Sequence, residues 1–272
     1  MWKRHERESS KRPTRMSFTT LSSPEDPALV QLIHDLELSG EKFLDGQFDE
    51  DISFLNEPHA LWVRPEIVFE TQPQLFASNV PKYGKGSADL MQGMLGDCWV
   101  IATLAVLFSH DVHLIRSMIV TSRPRLGLYV VRFVKEAKAV YVVVDDRIPF
   151  VGAIPAFCHH ADGTSMWGPI IEKAYAKLMG GYRTLIGGTI GYALTDFTGH
   201  LSHTVELDES KHKSSLHDTM MSFHRDMRNQ RLCGVTQLVG CSIQKKGTGL
   251  GMKEQELSNG LFAGHAYVCL RT

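Results

Sequence analysis

Residues 98–108 (CWVIATLAVLF) are apolar on nearly every side. A helix of that composition has no face to give to water, so it belongs inside a core with other elements wrapped around it. At about half the length a bilayer span requires, the run is a core helix and the chain has no membrane span. Two β-branched runs, 128–134 and 140–144, are separated by five polar and small residues and predict a hairpin. A second helix is expected over 166–179, stopped by Gly180 and Gly181. A shorter amphipathic helix carries Leu29, Leu32, Ile33 and Leu36 at helical spacing, with Asp26 or Ser23 as its cap. The stretch 41–76 mixes aromatic residues with Asp, Gly and Pro, and predicts an irregular segment laid over the core. After residue 200 the chain turns polar, with a helix expected over 215–228 and strands over 234–243 and 265–270. The fold class is α+β.

Composition narrows the function. Twenty-nine basic and thirty acidic residues leave a net charge of −1, so no global field favours nucleic acid or an anionic membrane. The first fifteen residues carry six Lys or Arg without an apolar stretch, which excludes a secretory signal. Five irregularly spaced cysteines do not make a disulfide framework and point to a reducing, cytoplasmic (intracellular) setting. Three regions follow: a tail and short helix over 1–40, a unit over 41–200, and a strand-rich part over 201–272.

The segment Gln92-Gly93-Met94-Leu95-Gly96-Asp97-Cys98-Trp99 is the most informative in the chain. A thiol at a helix N-terminus beside an imidazolium becomes largely thiolate, and Cys98 begins the apolar helix. Gly96 is expected to let backbone approach closely just before it, and Gln92 to aim its amide at an oxyanion forming beside the sulfur. A base for that thiol must come from far along the chain, and His265 in Gly264-His265-Ala266-Tyr267 offers one among thirteen histidines. Cys158-His159-His160 and His200-x-x-His203 lack the paired spacing of a structural zinc site.

These residues resemble the calpain family of cysteine proteases. Leu61-Trp62-Val63-Arg64-Pro65-Glu66-Ile67 is similar to its W-x-R-P-x-E-I segment, and residues 92–99 to its nucleophile motif. Val144-Asp145-Asp146-Arg147-Ile148-Pro149, Glu172-Lys173-Ala174-Tyr175-Ala176-Lys177, Phe197-Thr198-Gly199 and residues 264–267 complete six motifs in order. The resemblance implies a papain-like fold with a helical Cys-bearing half, a β-rich His-bearing half and a substrate cleft between them. It implies Cys98 as nucleophile, His265 as general base, and Gln92 with the Cys98 N–H as oxyanion hole. It implies protein substrates cut through a thioester intermediate, with regulatory domains or subunits outside this chain.

The same resemblance implies regulation by Ca²⁺, held by Asp89, Glu172 and carbonyl oxygens near Lys82 and Gly84. The loop 245–262 stands where the family has its cleft-gating loop. The family's orienting Asn lies downstream of the His. Here Asn56, Asn79, Asn229 and Asn259 all precede His265, so the second half is expected to be incomplete and the chain weakly active or inactive. Two alternatives remain at this level: a non-catalytic binding or regulatory module, and acyl transfer of the transglutaminase type.

Overall fold

A computed structural model describes residues 20–48, 60–77, 90–204, 218, 221, 222, 225, 238–242 and 255–269. Helix α1 (Pro27–Ser39) begins where the Asp26 carboxylate accepts the Ala28 N–H at 3.0 Å, as its sequence predicts, and ends at Gly40 in the left-handed region. Strand β1 (Ala60–Val63) and the one-turn α2 (Pro65–Val68) follow, so the 41–76 stretch carries more regular structure than expected. After β2 (Leu90–Met91) comes α3 (Cys98–His110). Nine of its residues, from Trp99 through Phe108, are buried, which is the outcome its apolar run demands.

Helix α4 (Val112–Met118), capped by Asp111, leads into β3 (Ile119–Arg123), β4 (Leu128–Lys135) and β5 (Lys138–Asp145). These three form an antiparallel sheet, with β4 and β5 in the expected hairpin from Leu128 opposite Asp145 to Lys135 opposite Lys138. Its two-residue turn puts Glu136 and Ala137 at φ 50° and 60°, a conformation usually given to Gly or Asn. Both faces of this sheet are covered. Tyr129, Val131, Phe133, Val142 and Val144 enter the main core with α3. Leu128, Val130 and Val143 pack beneath Leu29, Leu32 and Leu36 of α1 in a second, smaller core. Strands buried on both faces read as unbroken apolar runs, which explains their β-branched pattern. Backbone bonds in both directions between Leu21 and Tyr141, at 2.7 and 3.0 Å, tie the start of the described chain to this sheet.

Strands β6 (Ile148–Val151) and β7 (Ile154–Pro155) join β1 in a second antiparallel sheet, ordered β1-β6-β7. Strand β8 (His159–His160) pairs with β2. Helix α5 (Trp167–Met179) ends at Gly180 with φ 97°, one residue inside the expected start. Helix α6 (Ile190–Thr198) completes the central group. Later come β9 (Val239–Ser242), β10 (Gln255–Glu256), β11 (Phe262–Ala263) and β12 (Ala266–Cys269), paired as β10 with β11 and β9 with β12. Strands β9 and β12 fall inside the runs named from the sequence, whereas β10 and β11 form a short hairpin where the sequence predicts a loop. Of the helix expected over 215–228, residues 218, 221, 222 and 225 are described and helical. Among the described residues no helix is long and apolar enough to cross a membrane.

A buried ionic lattice joins these elements. The Lys173 ammonium, inside α5, binds the Asp145 carboxylate and the carbonyls of Asp145 and Arg147, at 3.2 and 2.7 Å for the latter two. Asp145 also accepts from the Arg147 guanidinium and from the Asp45 N–H, each at 2.9 Å. Lys177, one turn on, bonds Asp45 at 2.7 Å and the Val143 carbonyl at 2.8 Å. Arg64 pairs with Asp146 and donates to the Phe43 carbonyl at 2.7 Å. Burial pushes Asp145 upward, but the Lys173 and Arg147 charges together hold it below the usual carboxylate range.

Candidate active site

Cys98 is the first residue of α3, and residues 92–97 are the turn that delivers it. The turn is docked against the bend between β7 and β8: the Met94 N–H donates to the Ala156 carbonyl at 2.7 Å. Gly93 makes that approach possible, since a Cβ there would lie 2.3 Å from the Ala156 oxygen and 2.5 Å from that of Phe157. The close approach expected at Gly96 therefore occurs at Gly93. A Cβ on Gly96 would meet only a methyl of Ile186, at 3.4 Å. The Gln92 amide donates one N–H to the Leu95 carbonyl at 2.6 Å, which fixes the side chain across the turn. An amide nitrogen has a second N–H to give.

The distant histidine segment comes to this point. The Cys98 Sγ lies 4.0 Å from the carbonyl oxygen of Gly264, the residue before His265. Gly264 has φ 87°, in the left-handed region, where the chain turns from β11 into β12. Both Cys98 and His265 are half-buried. The turn that carries Gln92 and Cys98 and the segment that carries His265 thus meet across a separation of 166 residues. Trp99 anchors α3 from within: its indole N–H donates to the Leu185 carbonyl at 2.8 Å, and its ring fills the space a Cβ on Gly188 would occupy.

Behind the nucleophile position lies a pair of carboxyl groups that sequence reasoning did not anticipate. Asp97 and Glu172 are both buried, and no nitrogen or hydroxyl donor reaches the Asp97 oxygens. The two carboxyls lie close enough to shift one another's protonation, which favours a neutral member of the pair. Glu172 also accepts the Cys158 N–H at 3.0 Å. Burial pushes Asp97 up to about 7 although Glu172 pulls it down, whereas burial and the Asp97 charge together push Glu172 well above the carboxylate range. Glu172, the expected calcium ligand, is thus enclosed, with its carboxyl on the Cys158 N–H. The other expected ligands, Asp89, Lys82 and Gly84, lie outside the described residues. Among the described residues no group of three His, Cys, Asp or Glu could hold a metal ion.

The Cys158-His159-His160 sequence is likewise structural. The Cys158 thiol is pushed up by burial and by the neighbouring carboxyls, which keeps it inert. The His160 Nε2 accepts the Gly168 N–H at 3.3 Å, and burial lowers its pKa to about 4, so it is neutral. His200 and His203 are exposed. Cys98, Cys158 and Cys241 carry reduced thiols.

Opposite limbs of pH dependence follow from these groups. His160 is held below its unfolded value, so its contribution is present above about pH 6.5 and lost as pH falls toward 4. Asp97 and Glu172 are held above theirs, so their contribution is complete in acid and lost as pH rises through about 7 and beyond. From pH 5 upward the two carboxyls outweigh the single imidazole, so urea midpoints should fall steadily between pH 5 and 9. Glu172→Gln, which removes one of the two titrating carboxyls, should reduce that fall by about 1–3 kcal/mol. Superimposable profiles would show that the folded protein does not hold a proton on this carboxyl.

A family model described as calpain family cysteine protease matches residues 43–272. The chain belongs to the calpain family. Calpain clp-4 of Caenorhabditis elegans is 37% identical over 211 residues, covering 76% of this chain and 27% of that protein. Calpain-A of Drosophila melanogaster is 32% identical over 245 residues, covering 85% and 27%. Calpain-5 of Mus musculus is 32% identical over 220 residues, covering 77% and 32%. The chain spans about a quarter to a third of the length of these calpains. Membership in the family accounts for the α+β, papain-like core. It also divides the six motifs by task. Arg64, Asp145, Asp146, Lys173 and Lys177 build the buried lattice, while residues 92–98 and 264–265 converge on the thiol.

Proposed function

We propose that this chain is the peptidase unit of a calcium-controlled intracellular cysteine endopeptidase that makes limited cuts in proteins. Cys98 is the nucleophile, His265 the general base and then acid, and Gln92 with the Cys98 N–H the oxyanion hole. The observation that carries the proposal is the 4.0 Å approach of the Cys98 sulfur to Gly264, which sets the next residue, His265, beside the thiol's helix. In the reaction His265 takes the thiol proton and the thiolate adds to the scissile carbonyl. The Gln92 N–H not given to Leu95 and the Cys98 N–H at the start of α3 then donate to the oxyanion. Collapse expels the amine, which receives its proton from His265. Water, deprotonated by the same imidazole, hydrolyses the thioester and restores the thiol.

Calcium control enters from the family, with Asp89, Glu172 and the carbonyls near Lys82 and Gly84 as the donors carried over. When bound there, the ion would supply a fixed positive charge that draws those oxygens together. The reduced thiols of the described cysteines support an intracellular setting. Partner domains or subunits beyond this chain belong to the same proposal.

The test is thiol labelling read by mass spectrometry, with and without calcium. Cys98 should react with iodoacetamide faster than Cys158, Cys233, Cys241 and Cys269, and His265→Ala should erase the difference. Casein cleavage that needs both Cys98 and calcium would carry the result to full activity. Labelling of Cys98 no faster than that of exposed Cys241 would sink the proposal and favour a binding module.

A further inference from the structure

We propose that Tyr267 is the positioning residue for His265 and couples that imidazole to the β10–β11 hairpin. The proposal rests on the reading of His265 as the base. His265 immediately precedes β12 and Tyr267 is its second residue, and their rings come to the same side. Their rings meet edge to face, with centroids 4.9 Å apart and planes at 77°. Such a contact orients an imidazole only if the tyrosine ring is itself fixed.

Two restraints fix it. The Tyr267 backbone is held in β12 opposite Cys241 of β9. At the other end of the ring, the phenol oxygen accepts the Phe262 N–H at 2.7 Å. Phe262 begins β11, whose hairpin is closed by the Leu257 N–H on the Leu261 carbonyl at 2.7 Å and by the Leu261 N–H on the Asn259 side chain at 3.1 Å. The left-handed turn at Gly264 brings the hydroxyl of residue 267 back over residue 262. The aromatic side chain therefore spans from hairpin backbone to imidazole, with the turn that reaches Cys98 between them. Movement of the hairpin breaks the Phe262–Tyr267 bond first and frees the ring against which His265 rests.

The pH profile of Cys98 alkylation in the 272-residue chain tests this, with wild type, Tyr267→Phe, Tyr267→Leu and His265→Ala compared from pH 5 to 9. Tyr267→Leu removes the ring and should lower the His265-dependent rate at neutral pH about tenfold. Tyr267→Phe keeps the ring and loses the hydroxyl, and should cost about threefold. A purely structural role would lower the melting temperature and leave the profile of the folded fraction unchanged. A folded Tyr267→Leu protein with the wild-type profile would overturn the proposal. Should Tyr267→Leu fail to fold, a Tyr267→Phe profile identical to wild type would do the same. If His265→Ala already matches wild type, the reading of the site itself fails, and the role of Tyr267 with it.

Discussion

Asp145→Ala should cost about 3–5 kcal/mol, the penalty for stripping a buried cation of its counter-charge. Asp145 is fully enclosed, and both oxygens are fully used: one by Lys173 and the Arg147 N–H, the other by the Asp45 N–H and the Arg147 side chain. Removing the carboxylate leaves the Lys173 ammonium, equally enclosed, with two carbonyl oxygens and no negative partner. It also orphans the Asp45 and Arg147 N–H groups. For a chain of this size the melting midpoint should fall by about 10 °C, read by circular dichroism. Asp145→Asn, which keeps an acceptor and loses the charge, should fall between the two. The diagnostic comparison is Asp145→Ala with Lys173→Met, which removes the stranded cation and should regain part of the loss. If Asp145→Ala melts with wild type, the lattice contributes nothing and the view of these motifs as structural is wrong.

That lattice shows where sequence reasoning ran out. A run of eleven apolar residues specifies a buried helix because no other placement satisfies it, and α3 is where the run put it. Asp26 and Gly180 bound their helices through contacts a few residues away, so they too were legible. Lys173, Lys177 and Glu172 were different. A charged residue on a helix reads as solvent-facing or as a ligand, and its burial becomes visible only with the partner from another element in place. For Lys173 the partner is Asp145, for Lys177 Asp45, and for Glu172 Asp97. The covering of the sheet's outer face by α1 was hidden for the same reason. The β4 and β5 runs announce two buried faces but not what lies on each. The Cys98 and His265 segments were found through motif, and their convergence needed the fold.

Gly93→Ala should reduce Cys98-dependent chemistry by about a hundredfold, whereas Gly96→Ala, three residues away, should be nearly silent. Both glycines belong to the nucleophile motif, and the sequence reading places the close approach at Gly96. The structure places it at Gly93. A methyl on residue 93 meets two carbonyl oxygens and a carbonyl carbon of Ala156 and Phe157, within 2.3–2.7 Å, and backbone cannot swing aside as a side chain can. The turn must then lift off the 156–157 segment, which breaks the Met94 N–H bond to Ala156. Leu95 and Asp97 are buried, so the displacement cannot be absorbed at the surface and passes to Gln92 and to the start of α3. Overpacking of this kind also costs about 1–3 kcal/mol of stability. A methyl on residue 96 makes one ordinary contact with Ile186, at 3.4 Å, and displaces nothing. Alkylation of Cys98 at neutral pH, normalised to the folded fraction from circular dichroism, separates the two effects. Equal rates in the two variants would mean that the docking of this turn does not position the thiol, and that α3 alone sets the geometry of Cys98.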